Sequence, residues 1–483
     1  MPKKMSVGNV LRADFRSPLK VLRDVRAAAG DKPKFIAIAW ERENGNICRY
    51  DIPIPARIRP DALKDVRKLA ERTVKFLLWS AGGWRLYISG PTEIVQPIAD
   101  AYTPDGARKF DYEFFTDLYG RPVEVKIVPY AKMPQQKEKE VKVENNTNGY
   151  RIGFDLGASD FKISALKNGR AVFSKEFPWD PRPQSDPDYH YQKLTEGLNA
   201  AKDALGGRVD AIGGSTAGTL VGKKLGVASL IRGVKEKSPD KYEIAQNLFA
   251  RIEADWKVPF EVFNDGDVTA LAAAITMKPS GGILGVAMGS SEAAGYITPR
   301  GTLTGRITEL AFAPVDMNPN AGRCEWSGDA GVGAMYFSQQ AVNYLAQKLD
   351  FKFHPNVKLP ERLKQVQTAL ETAKNETALV VFLTIGRYLA EAAAWYHEFY
   401  DYSNLMILGR VTSGLGGAII LHNARLWLQA IDPALFEKIA LFMPDDKTRR
   451  LGQSVAAAQI PTIAGGPKKP VKRIVTEKSV MRR

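Results

Sequence analysis

Asp155 closes an apolar run and is followed by Leu156, Gly157, Ala158 and Ser159. A turn of small residues lets backbone N–H groups approach phosphate oxygens. A carboxylate beside such a turn can hold Mg²⁺ through water, since Mg²⁺ takes one or two carboxylates plus phosphates. By itself the pattern Asp-x-Gly is also that of an ordinary turn. The segment VPFEVFNDGDVTALAAA, Val258 to Ala274, says more. Its apolar run ends at Phe263, and Asn264-Asp265 stands before a small-residue helix. An Asn-Asp pair at the end of a strand can grip a polyol, and Asp265 can accept the proton of an attacking hydroxyl in phosphoryl transfer. The competing reading is that the pair caps the helix.

Two further loops have the composition of a nucleotide site. MGSSEAAG, Met288 to Gly295, places Gly289 and Ser290 after an apolar run, a loop suited to a phosphate. Glu292 in that loop would repel one unless its side chain points away. LMILGRVTSGLGGAIIL, Leu405 to Leu421, is a buried strand, a glycine-rich loop and an apolar helix. Gly409, Gly414, Gly416 and Gly417 allow close backbone approach, as to an adenosine, or simply a tight turn. GTLVGKK at Gly218–Lys224 is not a P-loop: its glycines are one residue too close, and no Ser or Thr follows the lysine.

These segments need strands and helices to carry them. After residue 150 the pattern alternates between the two, which is an α/β arrangement. Arg151–Arg170 and Gly282–Leu303 each read as strand, small-residue turn, strand, turn. Two such hairpins, each opening a lobe, suit a two-lobed nucleotide clamp. Ala131 to Gly149 is charged, amide-rich and poor in large apolar residues, and reads as a linker. Residues 1–130 before it form an α+β unit. Lys34–Ile54 is a hairpin about Asn44-Gly45-Asn46, Pro60–Thr73 a helix, Lys75–Gly90 a second hairpin about Gly82-Gly83, and Val123–Val128 a strand. Asp111, Glu113 and Asp117 read as a solvated helix face. Trp79, Trp84 and Tyr87 read as hairpin core rather than a sugar-stacking surface.

The chain has 483 residues, 45% of them hydrophobic, enough for several cores. Its two cysteines, Cys48 and Cys324, exclude a disulfide framework and a Cys-rich zinc site. A reducing cytoplasm is expected. The basic N-terminus lacks the apolar core of a signal peptide, and no uninterrupted apolar run spans a bilayer. Of the net charge of +15, much lies in the tail from Pro467, where seven basic residues face Glu477 alone. The tail, residues 464–483, reads as a solvated, disordered end.

In order along the chain, five segments resemble the ROK family of sugar kinases and repressors. FDLGASDFKISAL resembles its first phosphate motif, and IGGSTAGTL its apolar strand and following loop. NLFARIEADWKVPFEVFNDGDVTAL resembles the helix, strand and Asn-Asp segment. AAGYITPRGTLTGRITELAFAPVD resembles the approach to the sugar signature, and FLTIGRYLAEAAAWYHEFYDYSNLMILGRV the long helix and adenosine strand. The resemblance covers the last two-thirds of the chain. It implies a two-lobed, actin-like (RNase H-like) ATPase core added to the N-terminal α+β domain, with lobes at 150–275 and 276–463 and a C-terminal helix returning to the first lobe.

The resemblance further implies a carbohydrate kinase that moves the γ-phosphate of ATP to a sugar hydroxyl, with Asp265 as base. Asn264 and Glu309 would hold sugar hydroxyls. Asp155, Gly157 and Ser159 would face the phosphates of Mg²⁺-ATP, Asp155 reaching the metal through water. Gly289 and Ser290 would form the second phosphate loop, and Gly409 would lie near the adenosine. The resemblance leaves room for a homodimer, while nucleic acid and membrane are not expected: residues 1–130 show no helix-turn-helix. The departures are specific. The signature histidine is Phe312. The zinc segment is AGRCEWSGDAGVGA, Ala321–Ala334, with Cys324 alone, so no zinc is expected. The glutamate at its end is replaced by Ala334, unless Glu325 substitutes. The second phosphate loop is Gly289-Ser290-Ser291-Glu292, and Asp160 follows Ser159. These departures favour the alternative, a catalytically inactive sugar- or nucleotide-binding regulator on the same frame.

Overall fold

A computed structural model describes residues 15–142, 146–157, 160–226, 229–277, 280–444 and 452–463. Ser159 and the basic tail lie outside the described residues. The N-terminal region contains helix α1 (Pro18–Ala29), strands β1 (Lys34–Glu41) and β2 (Ile47–Ile54), α2 (Pro60–Ala81), β3 (Arg85–Ser89), α3 (Thr92–Ala101), α4 (Lys109–Tyr119) and β4 (Glu124–Ile127). The four strands form one sheet in the order β2-β1-β3-β4, with only β3 and β4 parallel. Asn44 and Gly45 both adopt positive φ (60° and 66°) in the β1–β2 turn, as that dipeptide favours.

The second expected hairpin does not form. Lys75–Ala81 completes α2, and only Arg85–Ser89 is a strand. Every residue from Arg72 to Ala81 is buried. A helix buried all round has no polar stripe from which its period can be read. Asp111 is likewise not on a solvated face: it is 1% exposed on α4, while Glu113 and Asp117 do reach solvent. Trp79 is fully buried within α2.

The remaining chain makes two lobes. The first holds a five-stranded sheet, β12-β9-β6-β7-β8. Its strands are β6 (Tyr150–Leu156), β7 (Asp160–Lys167), β8 (Arg170–Pro178), β9 (Ala211–Thr216) and β12 (Phe260–Asn264); between β9 and β12 lie the two-residue strands β10 (Leu220–Val221) and β11 (Lys224–Leu225). The second holds β14-β13-β16-β17, built from β13 (Ile283–Met288), β14 (Glu292–Ile297), β16 (Asn404–Leu408) and β17 (Ala440–Phe442). In both lobes a β-hairpin leads into parallel strands. Helices α5 (Pro187–Ala204), α6 (Asp265–Met277), α7 (Glu376–Tyr396), α8 (Gly414–Ile431) and α9 (Gln453–Ala458) pack around these sheets. Helix α9 lies directly on β6 and β9: a Cβ on Gly153 would fall 1.7 Å from Ser454 O, and one on Gly213 1.8 Å from Ala457 O. Helix α7 is long and apolar enough to cross a membrane, but most of it is buried inside the second lobe.

The N-terminal region shares one apolar core with the second lobe. Phe76 of α2 lies against Trp395, Tyr396 and Phe399, with ring centroids 5.3, 5.8 and 4.3 Å away. Between the two regions the chain is docked. Ile47 and Lys137 exchange backbone hydrogen bonds of 2.7 and 3.0 Å. Strand β5 (Val141–Lys142) pairs with β15 (Thr302–Leu303). Glu138 binds Arg42 and Arg306, and Glu140 binds Arg300. The charges that read as a solvated linker thus have partners on both sides.

Candidate active site

In sheets of this kind ligands bind beyond the carboxyl ends of parallel strands. The ends of β6, β12 and β13 converge on a cleft of ≈ 540 Å³ between the lobes. Gly157, Asn264, Asp265, Gly289, Ser290 and Glu309 line it together. Asp155 and Gly409 are not among the residues that line it. A Cβ on Gly409, where φ is 103°, would sit 2.5 Å from Met288 O, so only glycine fits against the strand that leads into the Gly289 loop.

Asp155 accepts a hydrogen bond from Ser215 Oγ at 2.6 Å. Burial raises its carboxyl to about 6, with Asp160 adding to the rise and Ser215 and Lys162 opposing it. Gly157 N donates to Asp160 O at 3.0 Å, so this backbone donor after β6 is engaged. Asn264 is already engaged: its Nδ2 donates to Gly218 O at 2.9 Å and its Oδ1 accepts from Gly266 N at 2.8 Å. The helix-capping use and the cleft position therefore coexist in one residue. Burial, then repulsion from Asp155, raises Asp265 to about 7. Asp267, in the first turn of α6, is also raised by burial to about 7, and its Oδ1 accepts from Tyr296 N at 3.0 Å, tying α6 to β14. Burial, then Asp265, raises Glu309 to about 8.

Glu292 does not face the phosphate-type loop that precedes it. Its Oε1 accepts from Tyr396 OH at 3.4 Å, and its Oε2 is so near Gly333 that a Cβ there would be 1.9 Å away. Burial raises it to about 8, with Glu309 adding to the rise. Four carboxyls, from Asp155 through Asp265 and Glu309 to Glu292, thus form an electrostatically coupled series. Arg182 is the only Lys or Arg among the described residues lining the cleft.

The position of the expected histidine is part of an aromatic wall. Phe312 lies 4.4 Å from Trp79, 5.7 Å from Phe110 and 5.3 Å from Trp326 by ring centroids. Phe114 and Trp326 join Phe312 in lining the cleft, and Trp326 is 61% exposed. Cys324 and Glu325 line it as well, as does Ala334. Cys324 is buried and accepts from Ser327 N at 3.5 Å. Among the described residues no three His, Cys, Asp or Glu side chains are placed to hold a metal ion. Phe114 and Trp326 escaped the sequence reading. Trp326 stood beside Cys324 and Glu325 in a segment read for metal ligands. Phe114 gave no local signal, because it reaches the cleft from another domain.

No protein-family model and no curated protein matches the chain in sequence. Its fold does match solved structures. The ROK hexokinase from Thermus thermophilus aligns over 65% of this chain and 98% of its own, at 18% identity and a TM-score of 0.51. A ROK family transcriptional regulator, a homologue of the E. coli MLC protein, aligns over 76% of this chain and 86% of its own, at 16% identity and a TM-score of 0.51. The chain therefore has the two-lobed, actin-like fold of the ROK proteins, with an added N-terminal α+β domain.

Proposed function

We propose that the protein is an ATP-dependent carbohydrate kinase. The observation that carries this reading is the meeting of Asp265 and Glu309 with two small-residue turns, at Gly157 and at Gly289-Ser290, in one cleft. Asp265 takes the proton of a sugar hydroxyl; a carboxyl raised to about 7 is matched to that exchange near neutral pH. Glu309 and the amide of Asn264 orient the sugar's other hydroxyls. Phe312 and Trp326 offer an aromatic face to the apolar side of a pyranose. The small-residue turns at Gly157 and Gly289-Ser290 let phosphate oxygens approach the backbone, with the N–H groups of Gly157 and Gly289 shared between those oxygens and their present acceptors, Asp160 O and Ser291 O. Gly409 lets the chain approach the adenosine. Asp155 would hold Mg²⁺ through water, and Mg²⁺-ATP would supply the phosphoryl group, with the metal ion as the positive charge between the phosphates and Asp155. The cytoplasm is the compartment this reading implies.

A second reading is a regulator that binds a sugar or nucleotide without turnover. The raised carboxyls favour it: a cleft with one lining cation, Arg182, is poorly matched to a polyphosphate. The test is ADP release from Mg²⁺-ATP across a sugar panel, beside Asp265→Asn. Sugar-dependent release lost in the variant supports the kinase. A sugar that raises the thermal midpoint without turnover supports the regulator.

A further inference from the structure

The wall of the cleft opposite the lobes' own strands rests on the N-terminal domain at three points. The first is direct: Phe114 of α4 lines the cleft. The second is the end of α2. A helix C-terminus leaves carbonyls without intrahelical partners. Here Trp79 O accepts from Glu309 N at 2.9 Å, and Ser80 O accepts from Thr308 N at 3.1 Å. Thr308 is held at a φ of 46°, a left-handed conformation that a β-branched residue adopts only under constraint. The backbone that presents Glu309 is therefore hung from a helix of another domain.

The third point is a buried ion cluster. Asp329 belongs to the loop that carries Cys324, Glu325 and Trp326. Its carboxylate accepts from Arg72 Nη1 at 2.9 Å and Nη2 at 3.3 Å, and lies 3.0 Å from Lys75 Nζ and 2.8 Å from Arg108 Nη1. All three cations come from the N-terminal domain. Lys75 also donates to Asp111 at 2.9 and 3.1 Å, and Trp79 Nε1 donates to Asp111 Oδ1 at 2.9 Å. Arg72 and Arg108 both bind Glu71. The three cations thus meet three carboxylates. Within the loop, Cys324 N donates to Asp329 O at 2.9 Å, so the fixed aspartate fixes the turn that bears Trp326.

We infer that the N-terminal domain is a specificity-determining part of the site: through Asp329 and the carbonyls of Trp79 and Ser80 it positions the wall that recognises the ligand. Asp329 is a positioning residue, not one that touches the reacting atoms. Removing its charge leaves the loop without its anchor and the cluster with an excess cation, while the lobes' own sheets keep their contacts.

The two cysteines make this testable without knowing the ligand, because Cys324 is buried in the loop and Cys48 is buried in β2. The full chain is labelled with a thiol reagent and the modified peptides are counted. Asp329→Asn is expected to speed labelling of Cys324 by about tenfold or more, the size set by losing charge-assisted hydrogen bonds, with Cys48 unchanged. Arg108→Leu, at the edge of the cluster, is expected to act in the same direction, and Asp329→Glu to restore slow labelling. Unchanged Cys324 in both variants overturns the inference, and so does equal acceleration at both cysteines, which marks general unfolding. The kinetic consequence rests on the kinase reading: Asp329→Asn then raises the sugar KM by about tenfold and leaves kcat within about twofold. A fall in kcat with KM kept overturns it. Loop release without turnover in any variant upholds the positioning role and sinks the kinase.

Discussion

Two groups of buried acids lie about one aromatic wall, and they are built on opposite principles. In the Asp329 cluster, Arg72, Lys75 and Arg108 face Glu71, Asp111 and Asp329. Burial pushes Asp329 up, but Lys75 and Arg72 outweigh it and hold the carboxyl below its ordinary value. Asp111 is raised, because burial there outweighs Lys75. About the cleft, Asp155, Asp265, Glu309 and Glu292 are in no ion pair with any described residue, and burial raises them to between about 6 and 8. A buried charge persists only when paired, and an unpaired acid takes up a proton instead. A balanced cluster therefore holds structure together. An unbalanced one is left for a proton or a ligand to balance.

Identical changes in the two groups sharpen that contrast. Asp265→Asn is expected to lower sugar-dependent turnover by about 10²- to 10⁴-fold, the usual contribution of a general base. It also removes a repelled carboxylate, so its urea midpoint at pH 8 should stay level or rise. Asp111→Asn leaves Lys75 with Asp329 as its remaining carboxylate partner and should cost about 1–3 kcal/mol in urea unfolding. Two variants with equal losses of stability would break the comparison.

The pH dependence follows from the sign of the shifts. The cleft acids bind protons more tightly folded than unfolded, where a carboxyl titrates near 4. The stability they contribute is full below that pH and is lost as pH rises through about 7 to 8. The thermal midpoint of the ligand-free protein should fall from pH 6 to 8.5, and Glu309→Gln should flatten that fall. Asp329 has the opposite sign. Its contribution is present above the ordinary carboxyl pKa and is lost only under more acidic conditions, so Asp329→Asn should leave the slope over pH 6 to 8.5 unchanged. A slope indifferent to Glu309→Gln would refute the assignment.

The smallest effect is expected at Trp326, which is exposed. Trp326→Ala should change stability by less than about 0.5 kcal/mol. Sugar binding should weaken by up to about tenfold, the worth of one stacking contact. A loss of folding there would mean that the wall is core and not a recognition surface.

Much of the site was legible along the chain because its parts are local. The Asn264-Asp265 pair ahead of α6 and the Gly289-Ser290 loop between β13 and β14 are each set by a few neighbouring residues. So is the order of strands and helices, from which the two lobes follow. Asp111 and Glu292 show the limit of such reading. Each was judged by its immediate neighbours, and each is buried by residues far along the chain: Lys75 and Trp79 for one, Gly333 and Tyr396 for the other.

The sequence by itself determined the two hairpins, the parallel strands behind them and the residues that their carboxyl ends present. Those are consequences of hydrophobic period and of turn chemistry, which act over a few residues. Only the tertiary structure decided that α2 continues to Ala81, that residues 131–142 dock by their charges, and that Asp329 is held by Arg72, Lys75 and Arg108. The physical reason is that solvation belongs to the folded surface. Whether a charge faces water or an opposite charge depends on which distant segment covers it, and no local pattern of residues records that.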